Sequence, residues 1–452
     1  MMMISPLSPP QCRLGAPSIK AAMHSRVTSR SLLLSPGSKR YSGALSRPRQ
    51  QKRCEDRAPS TTTLAASASL VSNSPSSPTS PTSSPQDLLP SLITPRTIVI
   101  TGAGISGVAT ARALSLVGID DFVVLEKSSK PRAEGTSIGL WTNAWRALDA
   151  LRVGDELRAA WPQIHGIELF DSSGKKMREI AIDDCVGGPH EARGVGRAAL
   201  VRSLASKIPS GKMAFGCNVV SVRDVSESSG GGSDGEEGSV EIEVEGLEGP
   251  LRCRALVAAD GANSTLVRRA VTDSPSSSVS SSSSSALLKP LRYVGYTAYR
   301  GIASFPEDSV PRMLPRDKFR FHFGSGVRVG IAPLGVHAGG VSGISGEEVD
   351  ASNSKTKEPR ALFYWFTCQN ERDGDRTKIT EVPAMRADAL RAVSSADWDL
   401  AATGVKLLQE ASADSTWSRA AIYDRWLEGG KSYGVGGVTA VGDAAHPMTV
   451  RG

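Results

Sequence analysis

From Thr97 onward the chain alternates short apolar runs with polar, glycine-rich breaks. Thr97-Ile98-Val99-Ile100 is a β-branched apolar run, the pattern of a strand buried in a parallel sheet. Gly102-Ala103-Gly104-Ile105-Ser106-Gly107 follows at once, and the Ala-rich stretch Val108–Leu116 predicts a helix. Asp121–Leu125 predicts a second strand, closed by Glu126. Val220-Ser221-Val222 and Val240-Glu241-Ile242-Glu243-Val244 alternate with period two, as half-buried strands of a β-meander do. Ala255–Ala259 and Val438–Val441 read as buried strands. Tyr293–Gly301, Phe319–Phe323, Val327–Ile331 and Leu362–Thr367 read as a second sheet, with Gly324-Ser325-Gly326 as a hairpin turn. The pattern predicts an α/β fold: a parallel sheet with a β-meander, plus a mixed-sheet domain.

The glycine spacing after the first strand has a mechanical reading. Gly102 permits a tight turn, Gly104 lets backbone approach a pyrophosphate, and Gly107 lets helix and strand pack closely. The helix start then presents free N–H groups and a partial positive charge, an effect of about 0.3–1 kcal/mol per terminal charge. Glu126 ends the second strand where a carboxylate can accept from ribose hydroxyls. An acid there suits FAD or NAD rather than NADP, and the turn alone leaves those two open.

Later segments narrow the choice. Leu140-Trp141-Thr142-Asn143-Ala144-Trp145-Arg146-Ala147-Leu148 lies within 135–151, and His190-Glu191-Ala192-Arg193-Gly194-Val195-Gly196-Arg197 leads into a helix. The strand Ala255–Ala259 ends in Asp260-Gly261-Ala262-Asn263-Ser264, with Val267-Arg268 after it. Val438–Val441 ends in Gly442-Asp443-Ala444-Ala445-His446-Pro447. Taken in this order, the chain resembles the FAD-dependent aromatic hydroxylase family of single-component flavoprotein monooxygenases, closest to the plant salicylate-hydroxylase-like branch beside zeaxanthin epoxidase. The resemblance covers roughly Thr97 to Pro447. It implies a Rossmann-like FAD-binding domain of the glutathione-reductase type and a substrate domain lying over the flavin.

The same resemblance implies roles for matching residues. The turn Gly102, Ala103, Gly104, Ile105, Ser106 and Gly107 would hold the pyrophosphate. Glu126, with Lys127 beside it, would hold the adenosine ribose. Arg197, in a Val-x-Arg context, would lie along the flavin. Asp260 and Gly261 would serve both FAD and NAD(P)H, and Gly442 and Asp443 the ribityl chain. Read without the family, Asp260 caps a turn, Asp443 caps a helix, Arg193 is a surface partner and His446 is structural. Tyr299-Arg300-Gly301, Tyr364-Trp365-Phe366 and Asp424-Arg425-Trp426 resemble recurrent family pieces, their aromatics lining a pocket or filling core. The implied chemistry is reduction of FAD by NAD(P)H, formation of a flavin hydroperoxide with O2, and hydroxylation or epoxidation of a small aromatic or isoprenoid substrate. No nucleophilic side chain is required, so no catalytic residue is named.

Alternatives stay open. A different FAD/NAD(P)-linked oxidoreductase is one, although no cysteine pair follows the first motif and no second GxGxxG is present. In the family, His-Pro is followed by a Pro/Gly-rich turn and a long helix. Here the chain reads Met448-Thr449-Val450-Arg451-Gly452 and stops. The other expectation is therefore a C-terminally truncated, catalytically defective FAD-binding protein or a gene-model fragment.

Composition changes the picture mainly at the N-terminus. The net charge of +7 sits in the first 90 residues, which carry 11 Lys+Arg and 3 Asp+Glu, so the remainder is nearly neutral and shows no footprint for nucleic acid. Residues 1–93 are Ser/Pro-rich with no acid before Glu55. They read as a disordered transit peptide and linker, for chloroplast with mitochondrion as the alternative. The 452 residues suggest two or three domains, drawn here as 94–288 with 415–452 for FAD and 289–414 for substrate. Ser226–Gly238 and Asp273–Ser285 read as surface-loop insertions. Cys12, Cys54, Cys185, Cys217, Cys253 and Cys368 contain no CxxC pair and are expected to be reduced. There is no apolar run of transmembrane length, so no membrane span is expected. No metal site is expected.

Overall fold

The strand Ile98–Thr101 lies at the centre of a six-stranded sheet, and its Val99 and Ile100 side chains are fully buried. In the computed structural model the described residues are 85–131, 136–225, 239–267, 290–338, 340–341, 358–371, 379–394, 399–425 and 433–449, all within one unit, Thr79–Gly452. On one side the central strand pairs in parallel with Phe122–Glu126, then Met213–Phe215. On the other it pairs in parallel with Ala255–Ala258, then Val438–Ala440, whose antiparallel neighbour Gly434–Val435 forms the edge. Parallel neighbours need a crossover, and the helix Ile105–Leu116 supplies the first. This helix begins three residues earlier than the apolar pattern suggests, because Gly104 is its N-cap. Glu126 lies inside its strand rather than after it.

A three-stranded meander, Val219–Asp224, Val240–Val244 and Leu251–Cys253, packs beneath the parallel sheet and buries Val222, Val240 and Ile242 with Val99 and Val123. The boundary set at residue 93 is too late. Pro85–Leu88 forms a 3-10 turn, Leu89–Leu92 a helical turn, and Leu89 and Ile93 are buried in this same core. The Gln86 side-chain amide also donates to the Gly216 carbonyl at 3.0 Å. An apolar pair this close to the first strand escapes a compositional reading dominated by Ser and Pro. Residues 1–84, including Cys12 and Cys54, lie outside the described residues, as do both low-complexity insertions. Among the described residues, Cys185 is exposed and Cys217, Cys253 and Cys368 are buried, all as free thiols.

The second sheet has seven strands, in the order Ser418–Asp424, Arg292–Pro306, Arg360–Asn370, Val327–His337, Lys318–Phe323, Gly166–Phe170 and Lys176–Ala181. The predicted hairpin at Gly324-Ser325-Gly326 is present, with the Gly324 N–H donating to the Val327 carbonyl at 2.9 Å and Gly326 at φ +73°. Two members correct the division by chain order. The hairpin 166–181, placed by sequence with the nucleotide half, pairs in parallel with Lys318–Phe323. Ser418–Asp424, placed beyond residue 414 in that same half, pairs with Arg292–Pro306. Helices Val382–Ser394 and Asp399–Glu410 cover one face and bury Tyr299, Phe363 and Trp365. From the other face, Ile302, Leu334 and Leu362 join the core that contains Ile100 and Val108. A two-stranded ribbon, Ser137–Trp141 with Ala192–Gly196, lies against this face, and a Cβ on Gly194 would stand 2.7 Å from Leu334. Among the described residues no helix is long and apolar enough to cross a membrane.

The packing generates two stability expectations. A Cβ at Gly107 would lie 1.9 Å from the Gly102 carbonyl oxygen, whereas one at Gly104 meets nothing within 4 Å. Gly107→Ala should therefore lower unfolding free energy by about 1–3 kcal/mol, and Gly104→Ala by less than about 1 kcal/mol, both measured by urea denaturation. Leu89→Ala should cost about 2–5 kcal/mol, as for a fully buried leucine; a near-zero cost would return residues 85–93 to the leader.

Candidate functional site

The turn after the first strand is built by three glycines with different tasks. Gly102 sits at φ +95°, where a Cβ would also approach the Ala259 carbonyl oxygen to 2.6 Å. Gly107 carries the close contact between helix and turn. Gly104 has a negative φ and open space where a Cβ would stand, so no packing demand explains the missing side chain. That space fits the close approach of a ligand backbone. The first intrahelical bond runs from the Val108 N–H to the Gly104 carbonyl at 3.0 Å. The N–H groups of Ile105, Ser106 and Gly107 precede it, at a helix end with no side-chain cap. Helix start, open glycine and partial positive charge together suit a phosphate group.

Other predicted residues converge on this turn. The Ala103 N–H donates to one oxygen of the buried Glu126 carboxylate at 2.7 Å, and the Ser128 N–H donates to the other at 3.0 Å. Glu126 thus braces the turn, and a carboxylate in this place can also accept from a donor such as a ribose hydroxyl. Asp260 directly follows Ala259, against which Gly102 is packed. Its side chain is exposed but crowded by protein, and desolvation raises its carboxyl above the ordinary value, opposed by the Ser264 hydroxyl and the Lys127 charge. Lys127 itself is exposed. Gly261 has φ +93° and open space at its Cβ position. Gly442, at φ +57°, faces Ser106 so closely that a Cβ would lie 2.0 Å from the Ser106 hydroxyl oxygen. Residues 102–107, 126, 260–261 and 442–443 therefore share one location, and Asp443 is exposed there, in the short 3-10 turn Gly442–Ala444. Arg197 is exposed at the first turn of the helix Arg197–Ala205, and its N–H donates to the Thr136 carbonyl at 3.1 Å. Among the described residues no hydrogen bond or ion pair joins its side chain to the other predicted residues.

Sequence reasoning assigned no role to Arg425, yet the fold places it between two motifs. It is buried, and its guanidinium donates to the Ala444 carbonyl at 2.8 Å and the Ala262 carbonyl at 3.2 Å. The adjacent Asp424 accepts a two-pronged contact from Arg292, at 2.9 and 2.7 Å. The available signal was the Asp424-Arg425-Trp426 segment, whose Trp426 lies outside the described residues, but its partners are distant in sequence. Arg193, read without the family as a surface partner, is instead largely buried, with its side chain 12% exposed. It bonds Glu191 at 2.7 Å and the Trp161 carbonyl, and its guanidinium lies 5.5 Å from the Trp145 ring centre. His446 donates its backbone N–H to the Gly442 carbonyl at 2.9 Å, and its ring centre lies 5.8 Å from that of Tyr433.

Strand alternation sorts the aromatic residues of the second sheet. Tyr299 and Trp365 point to the covering helices and are core. Tyr364 and Phe366 point to the opposite face, where Trp141, Phe319, Phe321, Phe366 and Tyr364 form a run of rings with successive centres 5.9, 6.2, 6.1 and 6.1 Å apart. Gly330 allows this: a Cβ there would stand 2.2 Å from the Phe366 ring. Arg300 lies opposite Phe366 in the ladder, and Arg328 lies opposite Cys368. Burial pushes the Tyr364 phenol up to about 12, despite the Arg300 charge.

Residues 96–320 match the family described as FAD binding domain. Monooxygenase 1 of Arabidopsis thaliana is 43% identical over 125 residues, 28% of this chain and 30% of that protein. FAD-dependent urate hydroxylase of Mycolicibacterium vanbaalenii is 25% identical over 242 residues, 52% of this chain and 53% of that protein. The chain thus matches about half or less of the length of these relatives. Among solved structures, a variant of Klebsiella pneumoniae HpxO complexed with FAD aligns with a TM-score of 0.54 at 21% identity, covering 78% of this chain and 75% of that one. The 2,6-dihydroxypyridine-3-hydroxylase of Arthrobacter nicotinovorans aligns with a TM-score of 0.55 at 18% identity, covering 78% of each. These likenesses establish the α/β fold, with its parallel and antiparallel sheets.

The raised Asp260 carboxyl has a consequence for stability. Its ordinary value is 3.8, and the folded chain disfavours the charged form. The native state should therefore lose stability as pH rises through and above that value. Asp260→Asn should stabilise the ligand-free protein at neutral pH, and the difference should vanish below about pH 4, in urea midpoints measured across pH. A destabilised Asp260→Asn at neutral pH would contradict the desolvation argument. Motif geometry and sequence match agree on one stretch: residues 96–320 of this chain match the FAD binding domain family.

Proposed function

We propose that this chain is an FAD-dependent monooxygenase that uses NAD(P)H and O2 to transfer one oxygen atom to a small aromatic substrate. The observation that carries the reading is the convergence of Glu126, Asp260 and Gly442 on an uncapped helix start whose Gly104 leaves open space. Bound FAD would supply the redox chemistry, taking reducing equivalents from NAD(P)H and delivering them to dioxygen. The protein's part is binding, orientation and exclusion of water. The N–H groups of Ile105, Ser106 and Gly107 would face the pyrophosphate, and Glu126 would accept from the adenosine ribose. Asp260 and Asp443 would bond polar groups farther along the cofactor, and Arg197 would lie near the flavin.

The aromatic run favours a planar substrate over an isoprenoid chain, because ring contacts reward flat faces. Arg300 and Arg328 on that face favour one carrying negative charge. The Tyr364 phenol, pushed up to about 12, stays protonated at physiological pH. It can therefore donate a hydrogen bond or accept one, and it is no phenolate base.

A direct test is FAD titration of the chain, followed by flavin absorbance and thermal unfolding. The protein should bind FAD and gain about 2.7 kcal/mol when FAD is at a hundred times Kd. Gly104→Ala should weaken FAD by about tenfold or more, roughly 1.4 kcal/mol, with little change in the ligand-free fold. NAD(P)H oxidation by the FAD-loaded protein should rise on adding a phenolic acid. A folded chain that FAD does not stabilise would sink the reading.

A further inference from the structure

We infer that Arg425 is the positioning residue that sets the Asp260-Gly261 and Gly442-Asp443 turns at the separation FAD requires; this rests on the cofactor reading above. The two turns grow from neighbouring strands, Ala255–Ala258 and Val438–Ala440. Backbone pairing joins those strands as far as the Val441 N–H and the Ala258 carbonyl, at 2.9 Å. Past that bond Arg425 bridges the two turns. One guanidinium nitrogen donates to the Ala444 carbonyl and another to the Ala262 carbonyl, while the Arg425 backbone N–H donates to the Pro447 carbonyl at 3.0 Å.

A guanidinium is suited to this place by its shape. Its donors are fixed in one plane, so the bonds to Ala444 and Ala262 specify the relative position of two backbones. A lysine ammonium has charge but no fork, and cannot hold both carbonyls in the same geometry. The strand that carries Arg425 is separately anchored, because Arg292 grips Asp424 with two hydrogen bonds. Anchoring by Arg292 and bridging by Arg425 are thus separable by mutation. Arg425 touches the turns and not the reacting atoms, so its effect on the cofactor passes through Asp260 and Asp443.

The test uses the full chain and FAD. Arg425→Lys should weaken FAD on the order of tenfold, the scale of one charge-assisted hydrogen bond, and should alter the visible circular dichroism of the remaining bound flavin. Arg292→Lys, which loosens the same strand, should lower the unfolding midpoint and leave FAD affinity and the flavin spectrum near wild type. Equal FAD affinity in wild type and Arg425→Lys, or equal weakening in Arg292→Lys, overturns the inference. Hydrogen exchange on the wild-type chain gives a reading that needs no variant. Segments 261–264 and 443–446 should gain protection together on adding FAD, and protection of one alone overturns the bridge. A wild-type chain that binds no FAD sinks the cofactor reading and this inference with it, whereas binding that ignores Arg425 sinks the inference alone.

Discussion

Backbone-to-backbone contact at Gly102 and Gly107 is the constraint on which the nucleotide half depends. The helix start lies so close to the preceding turn that a single Cβ at Gly107 would overlap the Gly102 carbonyl oxygen. Gly102 in turn lies against the backbone of Ala259 and Asp260. With no side chains between them, the central strand, its helix and the neighbouring strand hold one mutual arrangement rather than a range. That arrangement brings the Ala103 N–H to Glu126 and brings Ser106 to face Gly442. The helix N–H groups, two chain turns and the acids that accompany them are thus positioned by packing before any ligand arrives. Gly104 stands outside this logic, since nothing in the protein occupies the space a side chain would take.

The second sheet is tied down by charge where apolar packing is thin. Glu168, almost fully covered, accepts from Lys176 at 2.8 Å and from Arg320 at 2.7 Å, joining the hairpin 166–181 to strand Lys318–Phe323. Glu191 is held between Arg158 and Arg193, and both guanidinium groups lie over the Trp145 ring. A half-buried acid with two cationic partners has its desolvation offset by hydrogen bonds. Loss of one partner would leave the other to compensate the charge, so the cost should fall below that of stripping a buried acid of its only partner. Exposed pairs such as Lys406–Glu410 at 3.9 Å belong to a different scale, a few tenths of a kcal/mol. Carboxylates matter here as joints between segments far apart in the chain.

Strand alternation then divides labour within each strand. In Arg360–Asn370, Phe363 and Trp365 fill the core under two helices, while Leu362, Tyr364 and Phe366 face the nucleotide half. A one-residue change of register would exchange these sets and bury the wrong rings. The long antiparallel ladder from Tyr296↔Asn370 to Pro306↔Arg360 holds that register over eleven pairs. The aromatic face and its two arginines therefore follow from the same ladder that builds the core.

Local spacing was enough to read several features from the sequence. The β-branched run before Gly102, the glycine intervals and the alternation in 240–244 each depend on neighbours within a few residues. Fold class, the first turn, Glu126 and the hairpin at 324–326 follow from them. Features set by distant partners were not legible. Nothing near 166–181 announces parallel pairing with 318–323, because a strand's partner is chosen by where its chain crosses. Leu89 and Ile93 look like the tail of a polar leader until the meander supplies a core to cover them. The split between Tyr299 and Trp365 on one side and Tyr364 and Phe366 on the other needed the ladder, since alternation predicts two faces but not which one is covered by helices. Arg425 acts on carbonyls 163 and 19 residues away. Carbonyls are common to every residue and leave no mark in sequence, so only the tertiary structure could reveal what that arginine holds.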